Sequence, residues 1–115
     1  MEVQVFGSKK SAETRAALRF FAERRVKVHF VDFAVQGPSK AELQRFAQKF
    51  KIVNLIDRKS KRFAELGLNA ARLTDERWLD KLIDEPMVLV LPLVRFQQQL
   101  ALGSAEPTWK SWTDK

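Results

Sequence analysis

The residues able to do chemistry gather in one short stretch, Gly7-Ser8-Lys9-Lys10-Ser11, which leads from an apolar segment into a helical pattern. Two hydroxyls and two ammonium groups share this stretch, and the guanidinium of Arg15 lies one helical turn further on. Free amides at a helix start, together with the helix dipole, favour negative charge. Ser8, Lys9, Lys10, Ser11 and Arg15 are therefore candidates for binding an anion or a charged ligand. The plainer alternative is that Ser11 only caps the helix, accepting from an amide two or three residues on, while the lysines are solvated. A serine hydroxyl does not ionise usefully near neutral pH without an adjacent base, and the sequence supplies none beside Ser11.

The residues that are missing narrow the chemistry further. The 115-residue chain has no cysteine, which excludes disulfides, thiolate nucleophiles, CxxC redox pairs and Cys-ligated metals. The single histidine, His29, leaves no multi-His metal site within one chain. His29 alternates with Val28 and Phe30 and so points away from their face, which suits a solvated or structural histidine better than a catalytic one. No metal or cofactor is called for.

Lysine and arginine number 21 against 14 acids, a formal net charge of +7. That balance favours anionic partners such as phosphate groups, nucleic acid or an acidic protein surface. The basic residues are spread along the chain and interleaved with acids, so a generally basic, soluble surface accounts for the charge equally well. No nucleic-acid motif is present, and the aromatics do not alternate with basic residues as stacking platforms would. The longest apolar run, Met87 to Val94, is interrupted by Pro92 and is far too short to span a bilayer. The N-terminus enters a strand pattern at once, without a charged-then-apolar leader, so the cytoplasm is the expected location.

The elements that must position these residues read as follows. Val3-Gln4-Val5-Phe6 alternates and predicts a strand ending at Gly7. Residues 11–25 predict a helix with Ala17, Leu18, Phe21 and Ala22 on its core face. Val26 to Val31 predicts a second strand, with Val26, Val28 and Phe30 on one side. Strand, helix and strand make a βαβ unit with parallel strands. After Gln36-Gly37-Pro38, Ser39-Lys40-Ala41-Glu42 matches a capping box, and Leu43, Phe46, Ala47 and Phe50 follow at amphipathic helical spacing.

Ile52 to Ile56 reads as an apolar linker. Ser60 to Leu66 predicts a short helix that buries Phe63 and Leu66 and ends at Gly67 in a left-handed cap. Thr74 caps a further helix whose core face is Trp78, Leu79, Leu82 and Ile83. Met87 to Leu91 reads as a strand buried on both faces. Leu93–Phe96 and Gln99–Leu102 predict the arms of a hairpin closed by Gly103. The tail from Ala105 to Thr113 predicts one or two helical turns, with Trp109 and Trp112 closing the edge of the core. No repeat or long linker divides the chain, so one domain over residues 1–115 is expected, α/β in class and thioredoxin-like, with an inserted helical block.

Six pieces now occur in serial order: Val5-Phe6-Gly7-Ser8 before a helix, Gly37-Pro38-Ser39-Lys40-Ala41-Glu42-Leu43, Leu55-Ile56-Asp57, Phe63-Ala64-Glu65-Leu66-Gly67-Leu68, Asp84-Glu85-Pro86-Met87 and Leu91-Pro92-Leu93-Val94. Together they resemble the arsenate reductase (ArsC) and Spx family of thioredoxin-fold proteins, from residue 2 to about residue 104. The resemblance places Ser11 at the family's nucleophilic cysteine and Thr14 at the second cysteine of CxxC members. Leu91 stands where the family has an arginine before its proline. Arg58 or Lys59 stands for the arginine of the middle block. Pro92 matches a family proline that is usually cis and faces the loop after the first strand. The resemblance thus adds Arg58 and Pro92 to the candidate ligand groove, which also includes Thr14.

What the resemblance implies is a family member that has lost its nucleophile and one oxyanion-binding arginine. The expected function is non-catalytic: binding of a small anion or of a protein partner, the transcription machinery in the case of Spx-type relatives. One alternative is an oxidoreductase of this family that takes its thiol from glutathione and uses the domain to position reactants. Another, motivated by charge, is a basic nucleic-acid-associated protein.

Overall fold

Residues 1–114 are described by a computed structural model. In chain order the elements are β1 (Glu2–Gly7), α1 (Ala12–Glu23), β2 (Lys27–Asp32), α2 (Lys40–Phe50), α3 (Ile52–Leu55), α4 (Lys61–Glu65), α5 (Asp75–Asp84), β3 (Leu93–Phe96), β4 (Gln99–Leu102) and α6 (Glu106–Thr113). Single 3₁₀ turns cover Leu68–Ala70 and Pro86–Val88. The contacts divide into two units, one formed by Met1–Gln36 and the chain from Leu91 onward, the other by Gly37–Val90.

The first unit is a four-stranded sheet in the order β2-β1-β3-β4. β1 and β2 are parallel, with Val3 beside Val28 and Val5 beside Phe30, so the expected βαβ unit is present. β3 runs antiparallel to β1, pairing Phe6 with Leu93 and Val5 with Val94. β3 and β4 form the expected hairpin. Its turn is Gln97-Gln98, with Gln97 at φ 56°, while Gly103 closes the opposite, open end by donating its N–H to the Pro92 carbonyl at 2.8 Å.

Val3, Val5, Val94 and Ala101 pack with Ala17, Phe20 and Phe21 of α1 and with Trp109 and Trp112 of α6 in one hydrophobic cluster. Phe20 is buried in this cluster where the sequence pattern favoured Ala22, which is exposed. The helical stripe is rotated so that the larger side chain, with more area to remove from water, takes the inner position.

The second unit holds the inserted helices. Ser39 Oγ accepts from Glu42 N–H, Ser60 Oγ from Phe63 N–H and Thr74 Oγ1 from Arg77 N–H, so each start is capped by the residue its sequence nominates. Gly67 lies at φ 64°, in the left-handed conformation expected after α4. Leu66, expected to be buried with Phe63, is only partly buried, and two larger expectations fail here. Ile52–Leu55 is a helical turn rather than a linker, because Ile52 and Leu55, three apart, both become buried on one side of it.

Met87 to Leu91 is not a strand. Pro86 opens a 3₁₀ turn through Val88, and only an isolated antiparallel bridge joins Leu89 to Ile56. The backbone bonds Asp57 N–H to Val88 O and Val90 N–H to Leu55 O, each 2.8 Å, tie the run to the segment around Ile56 instead of to the sheet. A continuous apolar run specifies burial but not backbone conformation, and the fixed φ of Pro86 decides for a turn. Pairing with the sheet begins only after Pro92.

Candidate functional site

The loop between β1 and α1 is held by its own hydrogen bonds. Ser8 is buried, and its Oγ accepts from the Lys10 N–H at 3.2 Å. Its carbonyl accepts from Ser11 N–H at 2.9 Å. Ser11 has extended backbone angles, φ −86° and ψ 122°, and its Oγ accepts from Thr14 N–H at 3.1 Å. These are the marks of an N-cap, and they leave the amides of Ala12 and Glu13 without intrahelical partners. The Ser11 hydroxyl donates in turn to Glu13 Oε2 at 3.3 Å. Arg15 reaches back over the loop, donating from Nη1 to the Lys9 carbonyl at 2.6 Å.

The structure therefore brings Ser8, Lys9, Lys10, Ser11 and Arg15 together in one segment, with Lys9, Lys10 and Arg15 exposed. Pro92 is buried in the same unit, immediately before Leu93, which pairs with Phe6 of β1. Its bond to Leu91 is cis, as the resemblance implies. Thr14 is wholly buried beneath Gly7, so its hydroxyl is withdrawn from the surface. Arg58 belongs to the second unit, where its guanidinium lies 5.7 Å from the centre of the Phe63 ring.

One participant escaped the sequence reading. Glu13 engages the Ser11 hydroxyl, so a carboxylate stands beside it where no base was expected. Its position two residues after a serine cap was the available signal, since acidic residues favour the first helical turn. Among the described residues, no group of three His, Asp or Glu side chains is arranged to hold a metal ion. Nor is any helix long and apolar enough to cross a membrane.

A family model described as the ArsC family matches residues 6–112. The chain belongs to the ArsC family. Similar curated proteins include an arsenate reductase of Neisseria meningitidis serogroup A, 26% identical over 105 residues that span 89% of this chain and 90% of the relative. An arsenate reductase of Rhizobium meliloti is 27% identical over 96 residues, spanning 82% of this chain and 69% of the relative.

Solved structures of the same fold include an arsenate reductase from Vibrio cholerae, with a TM-score of 0.80, 20% identity and 94% of each chain covered. An ArsC family related protein from Bacteroides fragilis has a TM-score of 0.84 and 15% identity, covering 96% of this chain and 97% of that one. The four-stranded sheet with its helices is thus the thioredoxin-like ArsC fold, carried here by a chain with serine at position 11 and no cysteine at all.

Proposed function

We propose that this ArsC-family chain is a non-reducing member that acts by binding, and that the Gly7–Arg15 loop contacts an anionic group carried by a small oxyanion or by a protein partner. The observation that carries this reading is the state of Ser11. Its hydroxyl is committed to the helix cap, accepting from Thr14 N–H and donating to the Glu13 carboxylate. Whatever the Glu13 carboxylate does to its proton, a serine hydroxyl has no thiol redox chemistry to offer. What the loop retains is binding capacity: the first amides of α1, the Lys9 and Lys10 ammonium groups, and Arg15 fastened across the loop.

The test has two arms on the purified chain. In the first, arsenate is supplied with glutathione and a coupled NADPH assay. No turnover above the protein-free control is expected, and sustained turnover overturns the non-reducing reading. In the second, phosphate and arsenate are titrated while backbone amide resonances are followed. Shifts confined to residues 7–15 support the loop as the contact surface and a small oxyanion as ligand. If those shifts are absent, and a partner captured by the wild-type chain is retained equally by a variant with Lys9→Glu and Lys10→Glu, the assignment of this loop is overturned.

A further inference from the structure

In the second unit, α2 and the first turn of α5 border an open groove of about 600 Å³. Lys40, Gln44 and Gln48 recur every four residues along α2 and form one wall, which Lys51 extends at the helix end. Asp75 and Glu76 of α5 line the groove as well, and Ile52 and Leu79 give it an apolar floor. Val53, half exposed at 50%, lies on its rim. Lys40 and Lys51 are eleven residues apart, or about 16 Å along a helix. Among the described residues, none of Lys40, Lys51, Asp75 and Glu76 is engaged in an ion pair.

Lys51 is held at φ 71° and ψ 142°, backbone angles comfortable only for glycine. A glycine would close α2 with the same bond to the Ala47 carbonyl and begin the next turn without strain. What the lysine adds is an ammonium group at the end of the groove.

We propose that this groove docks an extended peptide of about five residues, with one basic and one acidic side chain flanking an apolar one. The reasoning is charge and shape complementarity. Carboxylates on α5 match the basic side chain, Lys51 at the end of the α2 wall matches the acidic one, and the floor takes the apolar one. The Gln44 and Gln48 carboxamides, each both donor and acceptor, suit a peptide backbone lying between the walls. The groove volume is within the range of ligand sites.

The test titrates the full chain with the end-capped pentapeptide Lys-Ser-Leu-Ser-Asp, and with a control in which both charged residues are serine, again following amide resonances. Shifts at Lys40, Gln44, Lys51 and Leu79 are expected, with the control binding roughly two- to fivefold more weakly and added salt narrowing that gap. Lys51→Gly is expected to raise the thermal midpoint by about 4 °C through relief of strain, while weakening the charged peptide by the same few-fold factor. Lys51→Ala weakens binding without that gain. Absence of groove shifts at millimolar peptide overturns the proposal, as does equal affinity for the two peptides.

Discussion

Thr14 Oγ1 occupies the place where a side chain on residue 7 would begin, since a Cβ built on Gly7 falls 2.5 Å from it and 2.8 Å from Thr14 Cγ2. β1 therefore enters the loop by laying a bare Cα against the first turn of α1. Thr14 is fully buried, so it cannot move aside toward solvent.

Gly7→Ala is accordingly expected to destabilise the chain by about 1–3 kcal/mol, the cost of overpacking a closed site. Thr14→Ala removes the obstructing atoms, together with a buried hydroxyl that has no hydrogen-bond partner among the described residues. The double variant is expected to be more stable than Gly7→Ala alone, and a double-mutant cycle on urea unfolding measures that coupling. Simple additivity of the two changes would show that the contact does not matter.

The pH dependence of stability is expected to carry a signature of Glu85. Arg62 donates to both of its carboxylate oxygens, from Nε at 2.9 Å and Nη2 at 2.8 Å. The hydrogen bond, then the charge, of Arg62 hold the Glu85 carboxyl below its ordinary value of 4.5. A carboxylate depressed in the folded state binds its proton less readily there than in the unfolded chain. Its contribution is therefore present above about pH 4.5 and is lost as pH falls through the lower folded value. The thermal midpoints of the wild-type chain and Glu85→Gln should differ at pH 7 and converge in acid. A gap that stays constant from pH 7 to pH 3 would contradict this.

The two tryptophans of α6 are expected to respond differently to substitution. Trp109 lies against Phe20 and Phe21, at ring-centre distances of 5.4 and 5.6 Å, and its indole N–H has no partner among the described residues. Trp112 packs beside Phe96 and donates its indole N–H to Gln99 Oε1 at 2.9 Å. Trp109→Ala opens the cluster and is expected to cost about 3–5 kcal/mol. Trp112→Phe keeps most of the packing and loses the tie to β4, at about 1 kcal/mol. Denaturant unfolding of the two variants makes the comparison, and equal losses would mean that α6 is not anchored in this way.

Much of the fold was legible because local chemistry and final structure agree. Ser11, Ser39, Ser60 and Thr74 each cap the helix that follows them, and Gly67 takes the left-handed position that only its missing side chain makes easy. The parallel pairing of β1 and β2 followed from a helix-length crossover. Met87 to Leu91 misled because its uniform apolarity has no period, and the bridge to Ile56 depends on residues more than thirty positions away.

Of the site, the loop from Ser8 to Arg15 was readable, since it is contiguous and its residue types are distinctive. The Ser11–Glu13 bond and the Arg15 reach to Lys9 were not, because spacing alone does not choose among rotamers. The groove beside Lys51 is further still from the sequence. It exists only once α2 and α5 are packed, and a lysine in a glycine-only conformation leaves no trace in residue type.

The bonds from Ser8 to Lys10 and Ser11, and from Arg15 to Lys9, tie the segment after β1 to itself. The anion proposed above would find these groups already arranged and would recruit less order from a mobile chain. Association there would be governed by diffusion and by the sign of the local field rather than by rearrangement. Residence would then be brief, since weak contacts alone would oppose departure, and exchange of a bound anion at this loop is expected to be fast on the timescale of magnetic resonance.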